Sequence, residues 1–186
     1  MVLSVLFHPT EVFKKVDSSP VLYSPWLVVI IAGIFLAIVG YYASASWLTG
    51  VYMFIANIVQ WFILTLFVWF FGFIHLRKKR GIAEERFAEC AAATGKLWTI
   101  TLATNLIMAI LSVFYGFVTI FPFNILAMIG VILAIILTIG WIVASYKMLK
   151  VVLGINGGKL FVNWILLLIL NVVTSAFIVG LIAKIF

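Results

Sequence analysis

Polar and apolar positions are very unevenly spread along this chain. Ser18–Ile74 holds no Asp, Glu, Lys or Arg. One crossing of a bilayer needs only ~20 apolar residues, so this stretch must fold back on itself. Trp47-Leu48-Thr49-Gly50 is the best turn inside it, which predicts spans of about 25–47 and 51–75. Leu97–Tyr146 is equally free of charge. There Ile120-Phe121-Pro122-Phe123-Asn124 supplies the turn, because a proline disfavours helix at the residue before it, and spans of about 97–119 and 124–146 follow. A basic, glycine-rich connector from Lys147 to Lys159 leads to a fifth span of about 160–183.

Two segments depart from this monotony. Near the start, Val12, Phe13 and Val16 share one helical face while Lys14 and Lys15 can reach up to headgroups, so residues 9–16 read as a short amphipathic helix at the membrane surface, with Thr10 as its cap. The other is the basic segment 76–96. It opens with Arg77-Lys78-Lys79-Arg80, and its Ala83, Phe87, Cys90, Ala91 and Thr94 fall on one helical stripe. It is either an interfacial helix or a cytoplasmic extension of the third span. The fold class is therefore an all-α integral membrane protein: five transmembrane helices in a bundle, with a short N-terminal amphipathic helix, forming a single domain over residues 1–186.

Composition agrees. Apolar residues make up 67% and charged residues 9% of the 186 residues, against about 45–50% and about 25% in soluble domains. Mean hydropathy is +1.34. Such a chain cannot clothe a water-facing surface, which excludes a soluble enzyme or a nucleic-acid-binding domain despite the net charge of +7. The basic residues flank apolar runs, and anionic lipid headgroups and topology account for them. No secretory signal peptide opens the chain, since Pro9, Lys14 and Lys15 interrupt its apolar start.

Charge also sets an orientation. With five spans, eleven of the twelve Lys and Arg fall on one side and only Lys184 on the other. Positive charge is retained in the cytoplasm, so the N-terminus is expected inside and the C-terminus outside. Trp26, Trp98, Tyr146 and Trp164 then lie near inner ends, and Tyr41, Tyr42, Trp47, Tyr52 and Tyr115 near outer ones.

The spans carry no mid-membrane Asp, Glu, Lys or Arg, the groups that pumps and proton-coupled carriers place there. His8 and His75 stand at membrane edges, Glu85 and Glu89 on a solvated face, and Cys90 has no base nearby in sequence. The expectation is a protein with no catalytic residues, no metal site and no cofactor. Neutral polar residues are plentiful instead. Asn57 and Gln60 share a face of the second span, Thr101, Thr104, Asn105, Met108 and Ser112 one of the third, and Asn171, Thr174 and Ser175 one of the fifth. Gly33, Ala37, Gly40 and Ser44 line the first span, and Ala127, Gly130, Ala134 and Thr138 the fourth. Asn57, Gln60, Asn105 and Asn171 serve either as interhelical hydrogen-bonding packing or as the walls of a polar path or small-ligand cavity between the second, third and fifth spans. Function follows the same fork: a scaffold acting through its basic face, or a small oligomeric transporter or channel for a neutral solute or lipid.

His8-Pro9-Thr10-Glu11-Val12-Phe13-Lys14-Lys15-Val16 resembles the P-x-x-x-F stretch that opens many prokaryotic Yip-domain proteins, the Ypt/Rab-interacting membrane proteins. Leu22-Tyr23-Ser24-Pro25-Trp26 is similar to the D-L-Y-G-P-F-W stretch before the first span of eukaryotic members, with Val21 in place of the Asp, Ser24 in place of the Gly and one aromatic missing. Five spans with a cytoplasmic N-terminus are also that family's plan. The resemblance implies motif positions Pro9, Phe13, Leu22, Tyr23, Pro25 and Trp26. It implies a non-enzymatic, multi-pass protein of membrane organisation or vesicle trafficking, whose eukaryotic relatives bind prenylated small GTPases and one another. The expected partners are membrane lipids with anionic headgroups, a small GTPase or other membrane proteins, and further copies of the chain, with no nucleic acid. Phe13, Lys14, Lys15, Arg77, Lys78, Lys79 and Arg80 are the expected lipid or partner contacts. The short N-terminal tail is like that of archaeal or bacterial members and implies the cell membrane; a eukaryotic origin would imply the ER or Golgi.

Overall fold

The structure, a computed structural model, describes residues 2–18, 23–76, 83–114 and 123–185. Seven helices follow one another: α1 (Val2–Phe7), α2 (Pro9–Ser18), α3 (Tyr23–Ser44), α4 (Trp47–Leu76), α5 (Ala83–Val113), α6 (Phe123–Leu153) and α7 (Gly157–Ile185). No strand occurs among the described residues. Five helices, α3 to α7, are long and apolar enough to cross a membrane, and the chain is an integral, multi-pass α-helical membrane protein. Helices are the open-chain solution in lipid, because they satisfy their backbone polar groups within one segment.

The α3–α4 connection is tighter than expected. It consists of Ala45 and Ser46 alone, and Trp47-Leu48-Thr49-Gly50 forms the first turn of α4. Ala45 ends α3 in the left-handed region, with φ of 54°, a conformation glycine usually supplies. Gly50 is needed elsewhere. A Cβ on Gly50 would sit 2.9 Å from the Ala37 carbonyl oxygen, and one on Gly40 would meet the Thr49 carbonyl oxygen at 3.2 Å. The two glycines let α3 and α4 cross backbone against backbone. In lipid, helices gain little by shedding apolar surface onto one another, so such close packing carries much of the association.

α3, α4 and α5 form the centre, with α6 packed on α5 and α7 on α4 and α6. α5 shows that the stripe over 83–94 is an extension of the third span: one helix runs from Ala83 to Val113. Its Cys90-Ala91-Ala92-Ala93-Thr94 run is buried, and Lys96, counted above with the polar segment, lies well inside it. Small side chains there admit α3 and the N-terminal helices. The expected third-span residues 115–119 lie outside the described residues, as does most of the Ile120–Asn124 turn.

The connector after the fourth span is also mostly helix. α6 continues to Leu153, burying Met148, Leu149 and Leu153, and only Gly154–Asn156 is non-helical before α7 begins. Gly154 has a φ of 60° and closes α6 as a left-handed cap. The N-terminal half of α6 turns Met128, Ile132, Ile136 and Ile139 outward, the composition of a lipid-facing surface.

The N-terminal pair differs from a loose surface helix. Pro9, with its preset φ, starts α2; Thr10 lies inside the helix, and the His8 carbonyl accepts the first bond, from the Val12 N–H at 3.2 Å. α1 and α2 pack on α5 and α6. Val5 and Phe13 are both 0% exposed and Val16 is buried, while Leu3 and Phe7 are 67% and 73% exposed.

Candidate functional site

The polar residues of the spans converge on the middle of the bundle. Asn57 of α4 donates through Nδ2 to the Val29 carbonyl of α3 at 2.9 Å, and its Oδ1 accepts from Trp98 Nε1 of α5 at 3.1 Å. Asn105 of α5 donates to the Ala32 carbonyl at 3.0 Å. Both amides thus reach the same face of α3, using the second lone pair of carbonyls already engaged in the helix ladder. Thr65 and Thr94 share a bond of 2.7 Å between α4 and α5. Gln60 Nε2 bridges to α7, donating to Asn171 Oδ1 and Ser175 Oγ, each at 2.7 Å. These bonds tie α3, α4, α5 and α7 together, and each is worth about 0.6–1.7 kcal/mol in a bilayer.

The same amides border an open space. A half-open cavity of about 190 Å³ lies among α4, α5, α6 and α7, lined by Gln60, Trp98, Ile100, Thr101, Thr104, Asn105, Thr138, Trp141 and Asn171. Gln60, Asn105 and Asn171, named from the sequence as packing or path residues, meet there; Asn57 instead holds the Trp98 wall in place. Among the described residues, no Asp, Glu, Lys, Arg or His lines the space.

Sequence reasoning missed two walls of this cavity. Trp98 was expected at the inner interface, but it is 2% exposed and hydrogen-bonded inside the bundle. It falls on the same helical stripe as Thr101 and Asn105, three and seven residues on, and that spacing was the available signal. On α6, Thr138 and Ser145 stand three residues before and four residues after Trp141, and that spacing was the signal available there.

The basic end takes shape from helix ends. Gly72 of α4 stands against Leu153 of α6, so the last turn of α4 and the Lys147–Lys150 turn of α6 lie at one end of the bundle, opposite the Ala45–Ser46 connection. Lys14 and Lys15 of α2 are exposed, as are Lys150 and Lys159. Phe13, expected to meet headgroups or a partner, is instead fully buried in the core, because α2 needs a large apolar side chain to seat it on its neighbours. Arg77, Lys78, Lys79 and Arg80 lie outside the described residues, as does Leu22. Tyr23 opens α3. Pro25 packs on Gly95 and Trp26 edge-on against Trp61, with ring centroids 4.5 Å apart, so these two motif positions dock α3 on α5 and α4.

Among the described residues, no three His, Cys, Asp or Glu side chains come together to hold a metal ion. Set against models of known protein families, curated proteins and solved structures, the chain matches none.

Proposed function

We propose that this protein is a non-enzymatic membrane scaffold of the Yip type, with its N-terminus in the cytoplasm, that presents a basic face to lipid headgroups and partner proteins. The observation that carries the reading is the docked N-terminal pair. Phe13 and Val16 lock α2 onto α5 and α6, which leaves Lys14 and Lys15 outward at the end of the bundle that also carries Lys147, Lys150 and Lys159. Exposed Leu3 and Phe7 on α1 supply the apolar half of an interfacial unit whose polar half is α2. The bundle holds this unit rigidly, so its charge is displayed at a fixed place instead of on a mobile tail.

Each basic residue near an anionic surface contributes about 1 kcal/mol, and Arg77–Arg80 following α4 would add to the same face. Anionic lipids, a small GTPase, another membrane protein or a second copy of the chain are the partners the resemblance adds. The transport reading asks for free amides along a path. Asn57 is used at both ends, and Gln60, Asn105 and Asn171 each at one end, in bonds to other helices; they border a single space and form no continuous row across the bundle, which supports a packed scaffold over conduction.

The test replaces Lys14, Lys15 and Arg77–Arg80 by Gln in the full chain. Topology is then mapped by site-directed labelling, and binding to vesicles with and without anionic lipid is compared. The scaffold reading expects weaker binding to anionic vesicles, weaker capture of cross-linked partners, or inverted insertion. If all three stay at wild-type level, the reading is wrong.

A further inference from the structure

The bundle cavity is not explained by packing. Each amide that borders it spends one end on a neighbouring helix and keeps the other. Gln60 uses Nε2 and retains Oε1; Asn105 uses Nδ2 and retains Oδ1; Asn171 accepts through Oδ1 and retains Nδ2. Asn105 is fixed in this sense, because its Nδ2 meets a carbonyl that only accepts; Gln60 and Asn171 can turn only as a pair, which exchanges their free ends and still leaves one on each. Thr101 and Trp141 also line the space, and among the described residues neither the Thr101 hydroxyl nor Trp141 Nε1 has a hydrogen-bond partner. The residues around this one half-open volume therefore carry two acceptors, two donors and one hydroxyl able to do either that the bundle leaves over. Leaving such groups unbonded in hydrocarbon is costly, and an acyl chain would do so. An ion is disfavoured as well, because no charged side chain is there to offset its desolvation.

We infer that this cavity is a binding site for a small, uncharged solute carrying both a hydrogen-bond donor and an acceptor, of the primary amide, urea or short polyol class. Size and shape fit that class. About 190 Å³ is the bulk of about six waters at ~30 Å³ each. Gln60 Oε1 and Asn105 Oδ1 accept from the solute's N–H or O–H groups. Asn171 Nδ2, Trp141 Nε1 and the Thr101 hydroxyl donate to its oxygen. Trp98 and Trp141 supply flat apolar walls, and Trp98 is held by its bond to Asn57. α4, α5, α6 and α7 all contribute, so an occupant bonds to four helices at once. The site is independent of the basic face, and substitutions there leave it intact.

The experiment is equilibrium binding of radiolabelled acetamide, urea and glycerol to the purified full chain in nanodiscs. Saturable binding of at least one probe, near one per chain, is expected. Thr101→Val keeps the shape and removes a hydroxyl that bonds to nothing in the protein, so it leaves folding intact and is expected to weaken binding about tenfold or more. Thr101→Phe fills the space and is expected to abolish it. Gln60→Leu serves as a third variant, read only where its helical content and thermal unfolding match wild type. No saturable binding of any probe means a water-filled packing defect and overturns the inference. Equal binding by wild type, Thr101→Val and Thr101→Phe overturns it too, since the probe then sits elsewhere.

Discussion

Gly95→Ala tests how the bundle is held where α3 begins. The single added carbon would sit 2.8 Å from Pro25 Cα and closer still to Pro25 Cβ. Relaxed carbon–carbon contacts lie at about 3.5–4.0 Å, so α3 and α5 must separate by about 1 Å. A proline ring and a helix backbone cannot swing aside as a flexible side chain would, and overpacking of this kind costs about 1–3 kcal/mol. The separation also stretches bonds that reach α3 from its neighbours. Asn57 to Val29 at 2.9 Å and Asn105 to Ala32 at 3.0 Å would pass the ~3.2 Å limit of a useful N–H···O bond. Each is worth about 0.6–1.7 kcal/mol in a membrane. The total loss is about 3 kcal/mol. Gly180→Ala is the control, because a Cβ there meets nothing within 4 Å and helix propensity alone favours alanine by up to about 1 kcal/mol. Reversible unfolding in mixed micelles, followed by circular dichroism, gives both values. Gly95→Ala equal to or more stable than Gly180→Ala would refute the close approach of α3 and α5 at this point. Adding Pro25→Gly to Gly95→Ala should recover part of the loss.

Asn57→Leu removes one interhelical bond and leaves the buried Trp98 N–H without an acceptor; a loss of about 2–4 kcal/mol is expected from the same unfolding measurement, and Trp98→Phe added to it should cost less than it does alone. A double-mutant cycle between Gln60→Leu and Asn171→Leu should give a coupling of about 0.6–1.7 kcal/mol, and a value near zero would mean that α7 is not tied to α4 through this pair. Ala45→Gly relieves the left-handed strain at the α3–α4 connection and should stabilise by up to about 1 kcal/mol, whereas Ala45→Val should destabilise.

Bilayer physics made the gross architecture legible. A charge-free run is long or short against a fixed hydrocarbon thickness, and the one-sided placement of Lys and Arg needs no knowledge of neighbours, so five spans follow from Ser18–Ile74, Leu97–Tyr146 and the last apolar run. Small-residue stripes were readable for the same reason: Gly33 and Gly40 on the first span are signs of close approach whatever the angle of crossing. Helix boundaries were less legible. Gly50 was read as a turn residue, because glycine permits both a turn and a close approach and the sequence does not say which is used. Residues 83–96 and 147–153 were set outside the spans by their charges, yet they are helical, and residues 90–95 with Met148, Leu149 and Leu153 are buried. Long helices can carry Lys and Arg at their ends while burying the opposite face.

The candidate site divides in the same way. Hydrogen-bonding demand is a property of a residue, so Asn57, Gln60, Asn105 and Asn171 stood out from the sequence as groups that must find partners in lipid. Which partner each one takes is a property of helix rotation and separation. Only the fold decides that Asn57 and Asn105 spend themselves on the backbone of α3, that Gln60 reaches Asn171 and Ser175, and that Trp98 and Trp141 close a space where α4 to α7 do not fill it. Phe13 shows the same limit from the other side: its place on an apolar face was evident from a period of 3.6 residues, but whether that face meets lipid or protein depends on α5 and α6 arriving beside it. A linear pattern fixes what each side chain requires, and the packing of distant segments determines which of those requirements are met within the protein and which are left for something else to meet.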